Sequence, residues 1–368
     1  MTRKLFSLLL ISCVISACNT STDEQQIDSI DNFDRGVLLA DLTDGIIIPA
    51  YQDFAGKMAT LKSAGQNFTV SPDVLTLDAL RTAWYNAYRT WQKVEMFNIG
   101  KAEELQYSFY MNVYPLSVAD VENNVENGGY SLNAVNNQDA QGFPALDYLL
   151  YGVADNDTDI LAKYTTDVKA AGYKDYITNG LNQMDELTQQ VLGDWTGSYQ
   201  TTFVQSADNT TTSSLNKLVN DFIFYYEKGL RANKIGIPAG VFSSSPLANK
   251  VEAFYKGDIS KELATVALQA VENFFNGKQY NGATSGESFR SYLNYLQRED
   301  ISTGINNQLN VAQSQLSGLT DSFYQQVNTD NTQMTLTYDE LQKVVILLKV
   351  DMLQAMNINV DYVDADGD

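Results

Sequence analysis

Residues 72–99 read PDVLTLDALRTAWYNAYRTWQKVEMFNI. Pro72 and Asp73 stand where a helix start tolerates them. Leu80, Trp84, Tyr88, Trp91 and Glu95 then recur at steps of 4, 4, 3 and 4, which predicts one helix over the whole segment with these residues as a single stripe. The stripe is mostly aromatic, so it reads as a face packed into a core. Glu95 is the exception. A carboxylate is costly to bury unpaired, so Glu95 either reaches water at the helix end or faces a polar site.

Helical spacing returns over residues 338–356, where Leu341, Val344, Val345, Leu348, Met352 and Ala355 form the apolar side and Lys349 and Asp351 lie beside it. Further helices are expected over residues 34–64, 158–192, 213–234, 260–275, 289–297 and 301–327. No sustained alternation of apolar and polar residues marks a sheet. The expected fold class is all-α, two helical-bundle domains with a cleft between them. The polar stretch WTGSYQTTFVQSADNTTT (195–212) suggests the boundary, giving bundles over 33–205 and 206–368.

The start of the chain reads as an address. Arg3 and Lys4 precede thirteen residues, LFSLLLISCVISA, which is too short for a spanning helix and fits a signal-peptide core. The run ends Ile15-Ser16-Ala17-Cys18, which resembles a bacterial lipobox. Residues 1–17 are then a signal peptide, Cys18 carries lipid, and the polar residues 18–32 are a tether. This predicts an outer-membrane lipoprotein that meets the membrane through Cys18, on the periplasmic or the surface face. With two or more acyl chains the anchor is stable.

The chain has 24 Lys and Arg against 45 Asp and Glu, a net charge of −21, two cysteines and no histidine. Loss of Arg3 and Lys4 leaves 22 basic residues against 45 acidic ones, or −23. Such a charge disfavours nucleic acid as a partner, because phosphate binding relies on Lys and Arg. Without imidazole, every Ser-His-Asp or Cys-His site and every His-bearing zinc site is excluded. Cys13 leaves with the signal and Cys18 is lipidated, so thiol chemistry is absent too.

Four segments together resemble the imelysin-like family, named for an insulin-cleaving bacterial membrane protease. They are residues 80–100, GFPALDYLLYG at 142–152, KIGIPAG at 234–240 followed by Val251-Glu252, and VILLKVDM at 345–352 followed by residues 360–364. The lipobox, the acidic chain and the terminal Asp-Gly-Asp resemble Bacteroidetes members. The resemblance implies two helical bundles with a site between them and a metal-binding Gly-x-His-x-x-Glu motif. Here Gly142 matches the Gly, Pro144 replaces the His, and Asp147 stands for the Glu. Proline has no side-chain lone pair, so peptidase chemistry is not expected. Zinc does not suit an oxygen-only donor set.

What remains is carboxylate chemistry. Glu95, Asp147, Glu252 and Asp351 fall in the family-like segments, and Lys234 lies close by in sequence. Glu95 and Asp147 are the candidate metal ligands, for iron or calcium. The structural alternative pairs them with Arg81, Arg89, Arg231, Lys234 or Arg290. Arg231 and Lys234 also allow an anionic ligand in the interdomain cleft. The alternating Asp361, Asp364, Asp366 and Asp368 resemble the opening of a calcium loop, but no Glu follows at its twelfth position. The resemblance further implies an accessory role in iron or nutrient uptake, with an outer-membrane uptake protein as partner. A carboxylate-based or metal-dependent hydrolase is the alternative.

Overall fold

Asp73 sets the start of the aromatic helix. Its carboxylate accepts the Thr76 amide at 2.8 Å and its own amide donates to the Thr76 hydroxyl at 3.0 Å, a capping box. The helix runs Val74–Trp91. Leu80, Trp84, Tyr88 and Trp91 are fully buried along it, as the stripe predicts. It does not continue to residue 99. The amides of Lys93 and Val94 turn back onto the carbonyls of Thr90 and Trp91, and this break sends Met96, Phe97 and Ile99 into the core. Glu95 therefore lies in a turn beyond the helix.

The computed structural model describes residues 31–282 and 284–361. The expected signal segment, Cys18, the expected tether up to residue 30 and the acidic end from residue 362 lie outside the described residues. The fold is all-α. Among the described residues there is no strand, and one isolated bridge joins Lys278 and Ser285. No helix among them is long and apolar enough to cross a membrane.

Helix Ile48–Val70 lies between Val74–Trp91 and Ala170–Asp194. Gly65 permits the second contact, since a Cβ there would stand 2.1 Å from Leu181 Cδ1. In the second half, Glu299–Ser317 packs on both Ser260–Phe275 and Phe323–Ile346. The helix expected over 301–327 is split by the break between Ser317 and Phe323, where the Ser322 hydroxyl caps the next helix. The stretch at 195–212 is largely helical, with Trp195 and Phe203 buried against Tyr199.

From Phe33 onward the chain is one compact unit. Its apolar core is continuous across residue 205. Phe33 stacks on Tyr292 at 4.4 Å, and Phe97 meets Phe274 at 5.2 Å. Asp41 accepts the Glu287 amide at 2.7 Å, so the first described helix is tied to the second half of the chain.

Trp84 tests the core. It is fully buried, touches Tyr88 and Tyr151, and donates its indole N–H to the Phe143 carbonyl at 3.2 Å. Trp84→Ala is expected to lower stability by about 3–5 kcal/mol. Denaturant unfolding measures this, and a loss below about 1 kcal/mol contradicts the packing described.

Candidate ligand-binding site

Lys234 is 1% exposed and sits on an unusual helical segment. Tyr225–Gly236 is wound as a π-helix, with hydrogen bonds one residue longer than in an α-helix. The wider turn rotates successive side chains differently. Glu227, Arg231 and Lys234 are buried together with Tyr226, Leu230 and Ile235.

A buried ammonium needs counter-charge, and two of the residues singled out in the sequence supply it. Lys234 Nζ lies 2.9 Å from Glu252 Oε2 and 3.1 Å from Glu95 Oε2. Burial alone lowers the Lys234 pKa, but Glu252 and Glu95 more than offset it, so the net direction is up. Neutral donors serve the remaining oxygens. Asn112 donates to Glu252 at 2.8 Å and to Glu95 at 3.0 Å. Gln92 donates to Glu252 at 2.9 Å, and Tyr225 to Glu95 at 3.1 Å. Tyr88 donates to the Asn112 carbonyl oxygen at 2.7 Å, which accords with the Asn112 amide facing two carboxylates. Gln92, Asn112 and Tyr225 carry no sequence signal for this role. Tyr88 belongs to the aromatic stripe, but its hydroxyl reaches the site.

Asp147 occupies a separate place. It is buried, and its two oxygens accept the amides of Tyr255 and Lys256, each at 2.8 Å. Burial pushes its carboxyl up to about 7, against the pull of these amides and of Lys256. Gly142 opens the same short helix, Gly142–Asp147, at φ +73°. A Cβ there would stand 2.2 Å from the Met111 carbonyl oxygen, so the position requires glycine. Pro144 is buried in the first turn of that helix, which tolerates it.

Glu95 lines a pocket of about 380 Å³ with Asn112, Tyr114, Asp221, Lys228 and Lys250 among its walls. Asp147 and Pro144 line a smaller one of about 160 Å³. Tyr114 and Pro115 border both, so the two candidate metal ligands open on different cavities. Asp351 joins neither. It lies half-buried on the π-turn Leu347–Met352 and makes no hydrogen bond or ion pair with the Lys234 cluster. Of the proposed structural pairs, Lys234 with Glu95 forms. Arg81 pairs with Asp157, Arg89 with Glu262, and Arg231 with Glu227.

The implied metal motif does not fit these residues. Pro144 offers no donor, and both Asp147 oxygens are already engaged by backbone N–H groups. Among the described residues no three His, Cys, Asp or Glu side chains converge as a metal site.

These features define a helical-bundle protein whose polar residues are buried where its two sequence halves meet. The family model described as imelysin, peptidase M75, matches residues 47–348, and the chain belongs to that family. An imelysin-like protein from Psychrobacter arcticum shares the fold with a TM-score of 0.69 at 19% identity, covering 89% of this chain and 97% of that one. A putative iron-regulated protein A precursor from Parabacteroides distasonis does so with a TM-score of 0.72 at 15% identity and the same coverage. Iron-regulated protein A of Synechococcus elongatus is 29% identical over 73 residues, 20% of each chain.

Two predictions follow from the charges. Lys234→Met leaves Glu95 and Glu252 without their counter-ion and is expected to cost about 3–5 kcal/mol. Denaturant unfolding of variant and parent at one pH checks this, and a loss below about 1 kcal/mol contradicts the burial described. At Asp221, burial, with Glu103 and Asp361 adding to it, pushes the carboxyl up to about 8. Folding thus favours the protonated acid. That contribution is complete below pH of about 3.8 and is lost as pH rises through about 8. Melting temperatures of Asp221→Asn should therefore gain on the parent between pH 4 and 8, and parallel curves would refute the shift.

Proposed function

We propose that this chain is a lipid-anchored binding protein of the cell envelope, held through Cys18 in the outer membrane. In this reading it takes up iron as a small anionic complex in the pocket beside Glu95 and serves an outer-membrane uptake partner. The observation that carries the reading is that the acids at the pocket are partly offset while a lysine remains on its wall. Lys234 offsets one of the two charges of Glu95 and Glu252, Asn112 donates to both, and burial pushes the Asp221 carboxyl up to about 8. Lys250 lines the same pocket, as does Lys228, which is itself paired with Glu227 at 3.0 Å. A bare ferric ion calls for several oxygen ligands, whereas a chelate brings its own and presents negative charge. The iron-regulated names of two relatives support the setting, and the lipobox supports the anchoring.

The peptidase activity for which the family is named has less support here. Asp147 and Glu95 face different cavities, and acid–base catalysis by paired carboxylates requires both to reach one substrate.

Calorimetric titration of the mature chain with ferric citrate, Fe³⁺, Ca²⁺ and Zn²⁺ tests the proposal. One ferric citrate per chain is expected, with affinity at least about tenfold lower in Lys250→Glu. Absence of heat and of any thermal shift with every form of iron overturns the iron reading. Cleavage of insulin that Asp147→Asn abolishes overturns the non-catalytic one.

A further inference from the structure

Met96 contributes to the wall of a second pocket, of about 250 Å³. Its charges run against the composition of the chain. Arg89, Lys93 and Lys278 line it, and no Asp or Glu does, in a protein of net charge −21. Its apolar wall includes Ile46, Met96, Phe97 and Val266.

Lys93 contrasts with Lys234. It is half-buried, yet among the described residues it makes no ion pair. Its ammonium lies 3.3 Å from the Tyr280 hydroxyl and 4.9 Å from that ring's centroid. Tyr280 in turn donates to Asp53 at 2.5 Å, so its hydroxyl stands between Lys93 and that carboxylate in the hydrogen-bond chain. Burial lowers the Lys93 pKa, Asp53 opposes this, and Arg89 and Lys57 add to the lowering. Arg89 has Glu262 on its Nε edge at 2.8 Å. Its terminal guanidinium nitrogens make no hydrogen bond among the described residues. Such a fork matches a carboxylate or phosphate with two parallel N–H donors. A lysine without an ion pair and the open fork of Arg89, beside an apolar wall, favour a ligand with a charged head and a greasy body.

We propose that this pocket binds a small organic anion, its carboxylate or phosphate head held by Arg89 and Lys93 and its apolar body laid against Met96, Phe97 and Val266. Lys278, exposed at the rim, adds attraction at longer range. This site is separate from the pocket beside Glu95, whose cations are Lys228 and Lys250.

Isothermal titration of the mature chain with sodium octanoate tests the proposal, with 1-octanol as the uncharged control. One octanoate per chain is expected, and 1-octanol should bind at least about tenfold more weakly, the scale of one lost charge-assisted contact. R89Q and K93M should each weaken octanoate at least about tenfold while still melting cooperatively. K250E, in the other pocket, should leave it unchanged, so failure of the iron reading and failure of this one are told apart. Should K93M not fold, R89Q carries the test, because the Arg89 side chain is about half exposed. No saturable octanoate binding, equal binding of 1-octanol, or unchanged affinity in folded R89Q overturns the proposal.

Discussion

An ammonium group buried between two carboxylates is the constraint on which the site depends. Lys234 cannot be taken out of water unless Glu95 and Glu252 are both within about 3 Å, and neither acid is tolerable there without it. The cluster draws together the turn after the aromatic helix, Asn112, the π-helix and the segment after Lys250. These parts come from both halves of the sequence. Neutral donors from Gln92, Asn112 and Tyr225 serve the carboxylate oxygens, so the floor of the larger pocket is held by hydrogen bonds as well as by packing.

Support for this cluster passes through the short helix Gly142–Asp147. Gly142 lets its helix approach the Met111 carbonyl, and that helix carries Asp147. Asp147 grips the amides of Tyr255 and Lys256, three and four residues beyond Glu252. Asp147 thus braces the loop that delivers a carboxylate to Lys234. A backbone clamp of this kind needs two acceptor oxygens at one spot. A side chain at position 144 is not required for it, which fits the presence of proline there.

Parts of the site were legible in the sequence. Glu95 at the end of an aromatic stripe signalled a conflict between position and polarity, and the structure resolves it with Lys234. The family-like segments pointed to Lys234, Glu252 and Asp147. Asp351 satisfied the same criteria yet lies elsewhere, because being near an apolar face along a helix does not say what packs opposite. Asn112, Gln92 and Tyr225 were silent. An asparagine in a polar stretch looks alike whether it faces water or two carboxylates. The early end of the aromatic helix at Trp91 was equally hidden, since Met96, Phe97 and Ile99 find better burial by leaving the helical path than by continuing it.

By itself the sequence determined the all-α class, because 3.6-residue periodicity and a capping residue are local properties. It also determined which chemistry is absent, since a chain without histidine has no imidazole wherever it folds. Tertiary structure alone decided which acids meet which bases. Glu95 reaches Lys234 across 139 positions, and Asn112 reaches Glu252 across 140. Such pairings are set by how whole helices pack. Desolvation, which pushes the Asp221 carboxyl up and the Lys93 ammonium down, exists only once that packing has excluded water.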